Sequence, residues 1–231
     1  MERKEVGNCL RTTVIGKEDG SRTYEIIREL EEDGARKGEE VIIIQLYPTI
    51  GVNDATTIDT TTCHLYNKLN ELGWSKVHMV NLFSCVSKKK LSVKELEKED
   101  KENIEYIQQI FRDASKDVKT IICWGNSFLT NKDVAKRKKD IIDSYVKIHP
   151  RKKLYQITND RAELETDSCI GMHILYLGLR FRNEVWKVEE YPIKEELSKL
   201  EVVLQRTSRK ELLKDNGIRK KDKENVCKNC E

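Results

Sequence analysis

VIIIQLYPTIGVNDATTID, residues 41–59, is an apolar run followed by small and hydroxylated residues. Its first six residues are almost continuously apolar, which is typical of a strand covered on both faces of a parallel sheet. Pro48 fixes the backbone as the chain leaves this strand. The stretch contains no Lys or Arg, although 36% of the chain is charged. Because long cations compete for space and are costly to desolvate, the stretch predicts a loop that serves a pocket for a neutral, planar group.

Further strands and helices are predicted around this strand. Apolar runs indicate strands at residues 23–30, 76–83, 118–124 and 153–158, and helical spacing indicates helices at residues 60–72, 104–114 and 133–146. This alternation predicts a three-layer α/β fold with a mostly parallel central sheet flanked by helices, which right-handed crossovers connect. Ligands of such folds bind at the carboxyl ends of the strands, so the loops after the strands should meet at one rim.

The length and charge of the chain predict its domain organisation. Its 231 residues suit a single α/β domain over residues 1–192, followed by a C-terminal helix and a flexible basic tail over residues 193–231. Residues 206–231 contain nine Lys and Arg against five Asp and Glu. This tail could contact nucleic acid, but its acidic residues favour a solvated extension. The oligomeric state is left open.

Apolar runs and cysteine spacing limit the class of protein. No run approaches the length of about 18 residues that spans a bilayer, and the first residues lack an apolar signal core, so the chain is expected to be cytoplasmic with no membrane partner. Five of the seven cysteines are spread along the chain, as reduced thiols would be. Cys227 and Cys230 form a lone CxxC pair without the second pair that zinc needs. No metal or other cofactor is predicted.

Residues able to stack or hydrogen-bond cluster after the predicted strands. A nucleobase needs an aromatic face, amide groups for its edge, and a donor such as His for negative charge developing on a carbonyl. Candidates for this set are Tyr47, Thr49, Asn53, Asp54, Asp59, Asn81, Trp124, Asn126 and His173. No glycine-rich phosphate-binding motif follows any strand, so a dinucleotide or P-loop site has no support.

Each candidate also has a structural interpretation. Asp59 could cap the helix that begins at Thr60, Asn81 could cap the turn after its strand, and Trp124 could fill the core. His64 and His78 lie within a predicted helix and strand and are interpreted as structural. His149 precedes the last predicted strand, which places it on the opposite rim.

Five short stretches carry a resemblance to a known family. They are Leu46-Tyr47-Pro48-Thr49, Asp59-Thr60-Thr61, Asn81-Leu82-Phe83, Trp124-Gly125 and His173-Ile174-Leu175-Tyr176. In order and position they resemble the landmarks of the bacterial and phage family catalogued as domain of unknown function 1643, which has Leu-Asn-Pro-Ser, Asp-Pro-Thr, Asn-Leu-Phe, Trp-Gly and His-Pro-Leu-Tyr. The resemblance covers roughly residues 20–180.

The same landmarks are similar, more distantly, to those of the uracil-DNA glycosylase superfamily. That similarity implies a glycosylase-like fold in which Asn81 would contact the base edge and His173 would stabilise the departing base. Pro48, Phe83 and Gly125 would complete the binding loops. Tyr47 stands where that superfamily has an Asp or Asn that positions water, and a phenol, which titrates near pH ~10, cannot serve as a carboxylate base. Asp54 or Asp59 would then orient the water.

Two functions remain open from the sequence. One is an N-glycosidase-like hydrolase that cleaves a bond between a base and its sugar. The other is a non-catalytic module that binds or sequesters a nucleotide-like small molecule. In both cases the expected ligand is a nucleobase or nucleotide.

Overall fold

The computed structural model describes residues 7–32, 38–89, 91–92, 95–96, 100–161 and 170–206. These residues form a seven-stranded sheet with helices on both faces. The strands are β1 (Asn8–Gly16), β2 (Thr23–Glu32), β3 (Glu39–Gln45), β4 (Trp74–Asn81), β5 (Lys119–Ile122), β6 (Leu154–Thr158) and β7 (Lys187–Glu190). The helices are α1 (Thr60–Tyr66), α2 (Leu69–Leu72), α3 (Lys101–Asp113), α4 (Lys132–Ile148), α5 (Ile174–Arg180) and α6, residues 193–206.

The strand order is β1-β2-β4-β3-β5-β6-β7. β4, β3, β5 and β6 are parallel neighbours, whereas β1, β2 and β7 add to the two edges in antiparallel orientation. The predicted α/β fold is thus confirmed, but the sheet is mixed rather than mostly parallel. β1 and β7 were not predicted because both are edge strands without a buried residue, so neither has the apolar run that marked the central strands.

The central strand β3 separates two apolar cores. Ile42 and Ile44 contact the core under α3, α4 and α6, and Val41 and Ile43 contact the core under α1, α2 and α5. All four side chains are at most 2% exposed. The prediction that this strand is covered on both faces is confirmed.

The predicted helix at residues 60–72 is two helices. α1 ends at Tyr66, a turn follows, and α2 ends where Gly73 takes the left-handed conformation with φ 69°, as glycine commonly does after a helix. The helix predicted for the C-terminal extension is present as α6 and packs Leu200 into the core under α4. The predicted flexible basic tail, with Cys227 and Cys230, lies outside the described residues from 207 onward. Among the described helices, none is long and apolar enough to cross a membrane.

His78 is held between two carboxylates on the face of the sheet that α3 covers. Its Nδ1 and Nε2 lie 2.5 Å and 2.6 Å from the carboxylates of Glu25 and Glu40, and the Tyr106 hydroxyl donates to the other oxygen of Glu25 at 2.8 Å. Burial lowers the pKa of His78 and Lys76 opposes its charge, but the hydrogen bonds to the two carboxylates outweigh both, so the pKa is raised. His78 therefore has the structural surroundings that its position in a strand predicted.

The raised pKa of His78 predicts how stability depends on pH. Its contribution should be complete below the ordinary pKa of 6.5 and should disappear as the pH rises through the higher pKa of the folded state. The pKa of Glu40 is lowered by its hydrogen bonds to His78 and Lys76 against the effect of burial, so its own contribution is lost only under acid conditions. We expect urea unfolding to show a smaller difference between the parent and His78→Gln at pH 9 than at pH 6. An equal difference at both pH values would contradict this interpretation.

Candidate functional site

A cavity of about 570 Å³ opens at the carboxyl ends of β3 and β5. β3 connects through α1 and α2 to β4 on one side, whereas β5 lies on its other side, so the strand order reverses here. Crevices at such reversals are the usual ligand sites of open α/β sheets, and the volume is that of a small-molecule site. The lining residues are Gln45, Leu46, Tyr47, Thr49, Asp59, Thr61, Trp124, Gly125, Asn126, Ser127, Phe128, Met172, His173, Leu175, Tyr176 and Leu179.

Asp59 both caps a helix and lines this cavity. One carboxylate oxygen accepts the backbone N–H of Thr62 at 2.7 Å, as an N-cap residue does. The other accepts the hydroxyl of Thr49, which follows β3. The predicted capping role is confirmed, and the cap fixes the carboxylate against the loop after β3.

His173 is held as a neutral hydrogen-bond donor. It is the N-cap of α5, and its Nδ1 accepts the backbone N–H of Leu175 at 3.1 Å. Burial lowers the pKa of His173 to about 4, although the nearby carboxylate of Asp59 acts to raise it. At pH 7 the ring is therefore neutral, and since Nδ1 is an acceptor, the proton is on Nε2. The cavity thus has a donor that carries no charge.

Gly125 brings the loop after β5 against His173. Its φ is 68°, a conformation that costs little only for glycine, and its N–H donates to the carbonyl of Gly171 at 2.8 Å. A Cβ at this position would lie 3.0 Å from Cβ of His173. Glycine is therefore needed both for the turn and for the close approach.

Trp124 forms the rear wall of the cavity and also belongs to the core. Its side chain is 1% exposed and meets the ring of Tyr191 edge-on, with the ring centroids 6.0 Å apart. The interpretation of Trp124 as a core residue is therefore confirmed, and the same residue borders the cavity.

Two buried cations of α4 hold the ends of β4 and β5 from behind. Lys138 Nζ lies 5.1 Å from the ring centroid of Trp124 and donates to the carbonyl of Gly125 at 3.2 Å. Arg137 lies over Phe83 in the same way and donates to the carbonyl of Leu82 at 3.4 Å. Burial lowers the pKa of Lys138 to about 8, although the carboxylate of Glu196 on α6 acts to raise it. The cavity wall is thus fixed by a costly buried charge rather than by apolar packing alone.

Three more aromatic rings line the cavity. Tyr47, Phe128 and Tyr176 line the cavity together with Trp124. Phe128 has φ 61°, an uncommon conformation for a residue with a side chain that is often found at functional sites. No Lys or Arg from the described ranges lines the cavity, which agrees with the absence of Lys and Arg from residues 41–59.

Five predicted site residues lie outside the cavity, among them Asn53 in the short 3-10 helix Val52–Asp54. Pro48 is in the loop after β3 without lining the cavity, and Phe83 is buried under Arg137. Asp54 is in a short 3-10 helix, where it pairs with Lys88 at 3.2 Å. Asn81 is 1% exposed at the end of β4, on the side of β3 away from β5. The cavity therefore brings together Tyr47, Thr49, Asp59, Trp124, Gly125, Asn126 and His173.

Several lining residues were not predicted from the sequence. Phe128, Met172, Tyr176 and Leu179 come from a loop and from α5, which the strand pattern did not detect. The sequence does contain an indication of Gln45, because it is the single polar residue in the apolar strand VIIIQL. A lone amide at the end of a buried strand could have been identified as a candidate.

Comparison with known protein families gives a match over much of the chain. The model of a family described as "Protein of unknown function (DUF1643)" matches residues 24–164. This range includes Gln45, Tyr47, Asp59 and Trp124 and ends before His173. No curated protein matches the chain.

Proposed function

The chain belongs to the DUF1643 family of proteins of unknown function, and we propose that its cavity binds a nucleobase, either free or as part of a nucleoside or nucleotide. The observation that carries this proposal is His173, a neutral Nε2–H donor in a cavity lined by aromatic rings. Aromatic faces stack on planar heterocycles, and a neutral donor suits a carbonyl or a ring nitrogen. The stacking surface is supplied by Tyr47, Phe128 and Tyr176, which are not fully buried, because Trp124 is only 1% exposed.

The charge of the lining residues favours the base over the phosphate. Phosphate sites use Lys, Arg or a helix N-terminus with free N–H groups. Asp59 is the one carboxylic acid among the described residues that line the cavity, and no described Lys or Arg lines it. The buried guanidinium of Arg28 interacts with Asp59 from outside the lining. A phosphate in the cavity would therefore face a carboxylate without a lining cation, and we expect a bound nucleotide to keep its phosphate outside the cavity.

A second candidate function is hydrolysis of the bond between base and sugar. It is favoured by His173 and Asp59 lining the same cavity. In this reaction water adds its oxygen to the anomeric carbon, the carbon–nitrogen bond breaks, and its electron pair leaves with the base, which takes up the proton from water. His173 Nε2–H would hydrogen-bond the carbonyl on which negative charge develops. The Asp59 carboxylate would orient the water.

Titration of the purified protein with free bases, nucleosides and nucleotides tests the binding proposal. We expect saturable binding of at least one base, measured by calorimetry, and a loss of about tenfold in affinity in His173→Ala because one hydrogen bond is removed. His149→Gln is the matched control, because His149 lies outside the cavity and its Nε2 contacts the carbonyl of Phe111. No binding of any base or nucleoside, or an equal loss in both variants, would refute the proposal.

Chromatographic detection of free base tests hydrolysis separately. Incubation with every nucleoside, nucleotide and DNA that binds should release base, and His173→Ala and Asp59→Asn should each slow the release. Binding without release from any of these compounds would exclude hydrolysis and leave the chain as a non-catalytic binding module.

A further inference from the structure

We propose that Gln45 is the specificity-determining residue of the cavity and that its amide nitrogen donates a hydrogen bond to an acceptor atom on the edge of the bound base. This inference rests on the proposed function. Gln45 is the last residue of β3 and lines the cavity. It lies on the sheet face that carries Val41 and Ile43, which is also the face covered by α1 and α5. Those helices and the segment before α5 supply Thr61, Met172 and His173 to the same cavity.

The amide of Gln45 has an unused donor. The side chain is 95% buried, with 5% exposed, and its Nε2 has no hydrogen-bond partner among the residues that the structure describes. Buried polar atoms are nearly always hydrogen-bonded in folded proteins. Gln156 on β6 fits this rule, because its Oε1 accepts the N–H of Gly171 at 2.9 Å. Because Nε2 is itself buried, a ligand can supply the acceptor once the amide rotates about its last side-chain bond toward the cavity that Gln45 lines.

Gln45 takes the place that the sequence resemblance gave to Asn81. The two residues are register partners on the parallel strands β3 and β4. Asn81 does not line the cavity, because β4 is on the side of β3 away from the crevice. Its backbone carbonyl accepts the side-chain amide of Asn103 from α3 at 2.8 Å. Of these two register partners, only Gln45 lines the cavity.

The chemistry of the two donors defines the ligand edge. Gln45 Nε2 and His173 Nε2 both donate, so the bound base must present acceptors, such as oxo groups, toward them. A base with an amino group at the corresponding position would place a donor against a donor. The cavity should therefore discriminate between bases that differ only by oxo and amino substituents.

Pairs of ligands and two variants of Gln45 test its role. Affinities are measured for an oxo-bearing base and its amino counterpart, for example hypoxanthine against adenine and uracil against cytosine. We expect the parent protein to favour the oxo member by roughly 5- to 100-fold. Gln45→Glu, which replaces the donor by an acceptor, should abolish or reverse this ratio. Gln45→Met, which keeps the length without hydrogen bonding, should bring the ratio close to one.

The controls separate this inference from the proposed function. Gln108→Glu, on α3 at the opposite face of the sheet, should leave the ratio unchanged, and thermal unfolding establishes that each variant is folded. If no base binds to the parent protein, the proposed function fails. If bases bind and the Gln45 variants keep the parent ratio, the proposal for Gln45 alone is overturned. A loss of stability in Gln45→Met with an unchanged ratio would equally overturn it, because the amide would then pair with Asn81 Oδ1, which is also buried without a partner.

Discussion

Replacing Asp100 with Ala is expected to lower the free energy of unfolding by about 3 to 5 kcal/mol. Asp100 is 2% exposed, and its carboxylate accepts the backbone N–H and the hydroxyl of Ser84, both at 2.8 Å. It also accepts Arg22 Nη1 at 2.9 Å. The substitution removes three hydrogen bonds together and leaves the partly buried guanidinium of Arg22 and the buried N–H of Ser84 without this partner. Asp100 thereby joins β2, the end of β4 and the start of α3.

Asp54→Ala is the matched control for this prediction. Asp54 also pairs with a cation, Lys88 at 3.2 Å, but both side chains are partly exposed, and exposed pairs contribute at most about 1 kcal/mol. Urea unfolding at pH 7 should therefore separate the two variants by at least about 2 kcal/mol. Similar losses in both variants would mean that burial of Asp100 has no effect on the strength of its interactions.

The fold could be predicted from the sequence where apolar periodicity is strong. The apolar pattern of β3 can be interpreted only as a strand buried on both faces, and Ile42, Ile43 and Ile44 are each at most 2% exposed. Once this strand is located, the position of the loop that follows it is also determined. β1 could not be predicted, because its side chains are half exposed and its strand conformation depends on pairing with β2. Long-range pairing of this kind has no local signature.

The sequence predicted which strands end near a ligand site, but it did not predict which residues line that site. Tyr47, Thr49 and Trp124 follow strands that the apolar pattern located, so the rule for parallel sheets placed them correctly. Asn81 also ends a strand, but the order of strands in the sheet decides which ends border the crevice, and sequence spacing does not determine that order. The local pattern likewise could not detect that Nδ1 of His173 accepts a backbone N–H, which sets the position of its proton.

Gly178→Ala is expected to lower the free energy of unfolding by about 2 kcal/mol, although Ala is intrinsically the better helix former by ~1 kcal/mol. Gly178 is buried in α5, where α1 packs on α5. A Cβ at Gly178 would lie only 2.0 Å from Cγ and 2.4 Å from Nδ1 of His64 on α1. Because real Cβ atoms do not approach so closely, α1 and α5 would have to separate.

Once the ring of His64 is removed, Gly178→Ala should no longer lower the free energy of unfolding. In a His64→Ala background, Gly178→Ala should be neutral or stabilising by up to about 1 kcal/mol, so the two positions should couple by about 2 to 3 kcal/mol in a double-mutant cycle measured by urea unfolding. A loss of the same size in both backgrounds would contradict the contact.

The contact between Gly178 and His64 also affects the cavity, because α1 begins after Asp59 and α5 begins after His173, and both of these capping residues line the cavity. The distance between the two helices sets the distance between the carboxylate and the neutral imidazole, so the affinity for base should fall in Gly178→Ala and recover in the double variant.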